Sequence, residues 1–216
     1  MLFRQKTLLT IGLFVYFVLL YFTLQRVIFF VPQHFRLSRI DDLIAFDPRW
    51  TFVYQSLYLF LPLPWLATSR EQLDRYARGF FMLTIVSFLF FFAFPIEGPR
   101  PNEMAHSALY RLLVSYDRNL NAFPSLHAAL AVYTLLLAFR IMPRQRIVIA
   151  IFGTLWIALV LYATLATKQH YFIDVIAGAV LAIAADFLAL RKHDSSRSAH
   201  RTLHVPSDRA AGSRSE

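Results

Sequence analysis

Two histidines stand where this chain could do chemistry. His170 precedes Asp174 by four residues in ATKQHYFIDV, 166–175, a spacing that brings both side chains to one face of a helix. The carboxylate can then accept a hydrogen bond from one imidazole nitrogen, which fixes the tautomer and leaves the other nitrogen as base or nucleophile. His127 follows Pro124 and Ser125 in NAFPSLH, 121–127, at the head of an apolar run. The imidazole and the Ser125 hydroxyl lie beside a helix start, whose free N–H groups favour an anion. Arg100 is mounted between two prolines in FPIEGPRPN, 94–102, and Lys168 adds a second cation two residues before His170. A guanidinium fork on a stiff mount suits phosphate oxygens. Two imidazoles, a carboxylate, two cations and a helix start compose a site for phosphoryl transfer that calls for no metal or other cofactor. His127, His170 and Asp174 are also legitimate zinc ligands, but Arg100 and Lys168 beside them would repel a cation.

These groups interrupt a chain that is mostly oil. Of its 216 residues 57% are hydrophobic and 22 are Phe, and the mean hydropathy is +0.49, far from the balance of a soluble domain. The expected fold class is all-α, a polytopic membrane protein. A helix needs about 20 apolar residues to cross a bilayer core. Six stretches are candidates: 8–30, 51–67, 76–94, 126–142, 147–167 and 172–190. The second is the weakest, being short and carrying Pro62 and Pro64. The first is too long for a signal-peptide core and has no small-residue cleavage site, so a retained span is expected. No cysteine is present, which removes disulfides and thiolate metal sites.

The net charge of +9 comes from 22 Lys and Arg against 13 Asp and Glu. In such a chain it signals topology first and contact with anionic lipid second, so no nucleic-acid partner is expected. Arg4, Lys6, Arg70, Arg75, Arg140, Arg144, Arg146, Arg191 and Lys192 would share one side, giving both termini a cytoplasmic location. The three polar islands would then share the opposite, non-cytoplasmic face. Residues 34–50, HFRLSRIDDLIAFDPRW, mix charges with apolar positions and suggest a short interfacial helix. The expected organisation is a six-helix membrane domain over 1–190 and a basic, disordered cytoplasmic tail over 191–216. The compact size suggests a bacterial cytoplasmic membrane.

The order RP, PS-x-H, H-x3-D resembles the type 2 phosphatidic acid phosphatase superfamily, whose signatures run K-x6-RP, PSGH and S-R-x5-H-x3-D. Here they stand as Arg100-Pro101, Pro124-Ser125-Leu126-His127 and His170 to Asp174. The chain departs from the pattern at Ala93, in the place of the lysine, at Leu126, in the place of the glycine, and at Ala163-Thr164, in the place of Ser-Arg. The forms FPSLHA and KQHYFIDVIAG, with IDDLIAFDPRW upstream, look closer to the branch of inositol phosphorylceramide synthases, whose members can move a phospho-headgroup between lipids. The resemblance implies six spans and a phosphorylated lipid as substrate. It implies His170 as nucleophile with Asp174 orienting it, His127 as acid and base, and Arg100, Ser125 and Lys168 as phosphate contacts. The competing reading is a non-catalytic transporter or scaffold keeping the fold. A transport path would distribute ionisable residues within the spans, whereas here the polar cluster gathers at one mouth and Asp186 lies near the other end.

Overall fold

The computed structural model describes residues 2–60, 63–101 and 106–202. Among them the chain is helical, with strand pairing reduced to isolated bridges joining Ile96 to Gln33 and to Asn121. The helices are α1 (Leu2–Leu24), α2 (Arg39–Leu43), α3 (Thr51–Gln55), α4 (Arg70–Ala93), α5 (Ala108–Tyr116), α6 (Leu126–Ile141), α7 (Arg146–Val148), α8 (Thr154–Ala166) and α9 (Phe172–Thr202). A π-helical turn, Ile149–Gly153, joins α7 to α8 in one apolar rod, Pro143–Ala166.

Among the described residues four helices are long and apolar enough to cross a membrane: Phe3–Leu24, Arg70–Ala93, Pro143–Ala166 and Phe172–Ala189. The chain is an integral membrane protein. Large apolar side chains such as Phe14, Leu19, Phe152 and Val180 cover its outside, as they must where the solvent is hydrocarbon. Of the two remaining candidates, α6 has 16 residues, about 24 Å at the helical rise, short of the ~30 Å hydrocarbon core. The 51–67 stretch is broken into α3 and the 3-10 turns Ser56–Phe60 and Leu63–Leu66, around the prolines that removed its backbone donors.

α6 lies at the centre. None of its residues is exposed, the expected condition of a helix that is apolar all round, and it packs on α4, α8 and α9. Its tightest neighbour is α9, where Gly178 lets the two backbones meet. A Cβ at position 178 would collide with the Ser125 carbonyl oxygen and lie 3.1 Å from both Ala128 Cβ and Ala129 N. Ser125 N–H donates to the Asp174 carbonyl at 3.0 Å across the same crossing. Gly79 plays the matching part in α4, where a side chain would overlap the Tyr133 phenol of α6.

The loops at the head of α6 are stitched to one another. Gln33 N–H donates to Pro95 O at 2.9 Å, Glu97 N–H to Gln33 O at 2.9 Å, and Ala122 N–H to Ile96 O at 3.0 Å. All three polar islands thus meet at one end of the bundle. α9 runs past Leu190 to Thr202 with no glycine or proline to stop it, and residues 203–216 of the expected tail lie outside the described residues.

Because backbone cannot yield as a flexible side chain does, Gly178→Ala should destabilise the protein by about 1–3 kcal/mol. Gly12→Ala faces open space and should change stability by less than ~0.5 kcal/mol. Thermal unfolding in detergent compares the two.

Candidate active site

The loop before α9 presents His170 and the first turn of α9 presents Asp174, while the start of α6 presents Ser125 and His127. The two imidazoles face each other with ring centroids 6.0 Å apart. Both are buried, at 8% exposure for His127 and 5% for His170. The cis Phe123–Pro124 bond precedes Ser125, whose hydroxyl accepts the Ala128 N–H at 3.2 Å and so caps α6. Ser125 is thus brought to the site as the residue that starts the helix carrying His127.

His170 Nδ1 lies 2.9 Å from the Ala122 carbonyl oxygen. A carbonyl only accepts, so Nδ1 carries the proton and the lone pair sits on Nε2. Asp174 Oδ2 lies 3.6 Å from the same Nδ1, beyond hydrogen-bond reach, and accepts the Tyr171 N–H at 2.8 Å. Carboxylate and imidazole lie near each other, but His170 stands in the loop before α9 and not on a helix face shared with Asp174, and a backbone carbonyl takes the direct hydrogen bond expected of the carboxylate. Burial and then the Asp174 charge raise the Tyr171 phenol above its ordinary pKa, so it stays neutral beside the carboxylate.

His127 is held by two tyrosines from the 51–60 segment. Tyr54 stacks on the ring at 4.0 Å between centroids, its hydroxyl 3.0 Å from Nδ1. Tyr58 reaches Nε2 from the other side at 3.3 Å. With a neutral ring one hydroxyl donates and the other accepts. Tyr58 also lines an apolar pocket of about 70 Å³ with Phe14, Phe17, Phe80 and Leu130. Nothing in the sequence marked these tyrosines, because the contact spans 73 residues for Tyr54 and 69 for Tyr58.

Arg100 reaches the residue beside the nucleophile candidate: Nε donates to Gln169 Oε1 at 3.0 Å, and Nη2 donates to the same oxygen. Nη1 donates to the Asp117 carbonyl at 2.6 Å, and the Asp117 carboxylate lies 3.7 Å from Nη2. Asp117 in turn accepts from Gln25 Nε2 at 2.8 Å and from the Tyr21 hydroxyl at 3.3 Å, anchoring the end of α1. Asp117 and Gln169 are the polar partners that sequence reading missed; both lie in polar loops, where only the fold shows which charges meet.

Lys168 is placed elsewhere. Its Nζ donates to the carbonyls of Asp41 and Ile44 at 2.6 Å each, away from the space between the histidines. Its backbone has φ 53°, and the bonds from Lys168 N–H to Leu165 O and from Gln169 N–H to Thr164 O close a Schellman cap on α8. A lysine in this left-handed position, usually held by glycine, is retained where its side chain can tie the α2 segment down. Asp41 completes that tie, accepting the Phe172 N–H at 2.7 Å and forming a capping box with Ser38. The 34–50 segment is therefore a strap across the site's loops. Glu97 pairs with His34 at 3.5 Å. Among the described residues no three or more His, Asp or Glu are arranged to hold a metal ion.

Removing Asp117 strands several partners at once. Asp117→Ala should destabilise the protein by about 3 kcal/mol, and Asp117→Asn, which keeps the acceptor for Gln25, by less. Chemical unfolding followed by tryptophan fluorescence reads both.

Comparison with curated proteins and with solved structures gave no match. The model of the PAP2 superfamily matches residues 22–188, a span that runs from the end of α1 to the last turns of the apolar part of α9 and contains both histidines, Arg100, Asp117 and Asp174. By that match over most of its length, the chain belongs to the PAP2 superfamily.

Proposed function

We propose that the protein is an integral membrane phosphoryl-transfer enzyme acting on a phosphorylated lipid through a phosphohistidine at His170. The observation that carries this reading is the pair of buried imidazoles facing each other, with the His170 Nδ1 proton held by Ala122 O and Nε2 free of hydrogen bonds to the described residues. Family membership supports phosphatase-type chemistry.

In the proposed reaction, the Nε2 lone pair attacks phosphorus, an N–P bond forms, and the P–O bond to the leaving lipid oxygen breaks. His127, protonated, gives its proton to that oxygen. In the second half it takes a proton from water or an acceptor alcohol, whose oxygen attacks the phosphohistidine and returns His170 to its starting state. Asp174 stabilises the positive charge that develops on His170. Arg100 stabilises charge on the phosphate oxygens, exchanging contacts with Gln169 for contacts with substrate. Ser125 acts through the α6 start it caps. Lys168 supports the site through the α2 strap, and no cofactor takes part. The 3.3 Å Tyr58 contact is the weaker of the two on His127, so Tyr58 yields to substrate while Tyr54 positions the ring. The apolar pocket behind Tyr58 suits a lipid tail.

Six crossings, with α6 and the broken 51–67 stretch added to the four long helices, account for all three islands sharing one face. The Lys and Arg bias supports that face as non-cytoplasmic, with both termini in the cytoplasm, and the compact size favours a bacterial inner membrane. The resemblance of FPSLHA and KQHYFIDVIAG to the inositol phosphorylceramide synthase branch favours a lipid alcohol as acceptor.

The test is mass-spectrometric lipid profiling after incubating purified protein with mixed phospholipids and acceptor alcohols. Wild type should consume one donor; free phosphate then identifies a phosphatase and a new headgroup-bearing lipid a transferase. His170→Ala should abolish turnover and acid-labile phosphoprotein. His127→Ala should lower turnover by about 10²–10⁴-fold while still accumulating phosphoprotein from a donor with a good leaving group. A wild type that changes no lipid, or a His170→Ala variant that keeps its activity, would overturn the reading.

A further inference from the structure

The end of the bundle opposite the histidines holds a second charged cluster, which the proposed chemistry does not use. Arg75 and Arg78 lie three residues apart in α4, Arg140 stands in the last turn of α6, and Asp186 is in α9. Arg140 Nε donates to Asp186 Oδ1 at 3.1 Å and Nη2 donates to Oδ2. Arg75 Nη2 lies 3.9 Å from Asp186 Oδ1, and Glu71 adds a carboxylate one turn before Arg75. Arg75 and Arg140 thus share the Asp186 carboxylate. Arg78 forms no ion pair among the described residues, Asp74 one turn before it pairing with Arg70 instead, and its Nε is buried without a hydrogen-bond partner, as are Nε and Nη2 of Arg75.

Arg78 also lines a groove of about 400 Å³ between α1, α4 and α9, whose other walls include Leu13, Phe81, Met82 and Leu188. Phe81 and Leu188 are 48% and 46% exposed on the surface that would face hydrocarbon. A cation with unused donors at an apolar groove needs an amphiphile that is anionic at one end. We infer that this groove binds an anionic phospholipid, with its phosphate on Arg78 and an acyl chain along Leu13, Phe81, Met82 and Leu188. Charge complementarity selects the occupant: a zwitterionic headgroup brings its own cation, and free phosphate leaves the apolar walls uncovered. Basic pockets between membrane helices hold anionic headgroups in this way. The inference is independent of the reaction at the histidines.

The test uses the full chain, delipidated in detergent and mixed with equal amounts of dioleoyl-phosphatidylglycerol and dioleoyl-phosphatidylcholine, with bound lipid read by native mass spectrometry. Wild type should retain phosphatidylglycerol in preference. Arg78→Gln should reduce that retention about fivefold without lowering Tm, since Arg78 supports no ion pair among the described residues. Leu188→Trp, on an exposed wall of the groove, narrows it without altering charge and should reduce retention as well. Substitution at this end separates the site from any lipid held near His170. Equal retention of the two lipids by wild type would overturn the inference, as would a preference unchanged in both variants. Stabilisation by inorganic phosphate alone, equal to that by phosphatidylglycerol, would assign the cluster to free phosphate and also overturn it.

Discussion

The contact between the starts of α6 and α9 is the constraint on which the site depends. Gly178 removes the side chain that would hold the helices apart, and the Ser125 N–H then reaches the Asp174 carbonyl. Close approach through small residues is how helices associate where lipid offers no hydrophobic drive. Once the two starts are locked, His127 and His170 have little choice but to face each other, because each sits within a turn of the contact.

The loops around that contact show how a mostly apolar protein carries buried polar groups. Each such group must find a partner or destabilise the fold. Asp41 satisfies the first turn of α9, Lys168 satisfies carbonyls around α2, and Asp117 gathers Gln25, Tyr21 and Arg100. The same bonds that satisfy these groups fix the loops that carry the chemistry. Stability and positioning are therefore supplied by one set of interactions, and Lys168, read from its spacing as a phosphate contact, works within that set.

The two ends of the bundle divide the ionisable residues. One end collects imidazoles, Asp174 and Arg100 within loops fixed by backbone hydrogen bonds; the other collects Arg75, Arg78, Arg140 and Asp186 on helix faces. Between them α6 runs through a core of Leu, Phe and Ala side chains. This separation bears against a continuous transport path, which would need polar groups along the length of the spans.

Much was legible in the residues themselves. The oil content required membrane helices, and the four-residue interval from His170 to Asp174 set carboxylate and imidazole side by side, since local geometry depends only on nearby sequence. The PSLH stretch likewise read as a helix start, although Ser125, read there as a phosphate contact, turns its hydroxyl to capping that helix. What the sequence could not supply were contacts between distant segments: Tyr54 and Tyr58 on His127, Ala122 O on His170, Asp117 on Arg100, and the Asp41 and Ile44 carbonyls on Lys168. Each of these depends on how loops fold over one another, and a polar loop residue carries no periodicity to announce its partner. Composition and spacing determined which groups were available; tertiary packing decided which atom each one met, because a hydrogen bond requires placement to within a few tenths of an ångström.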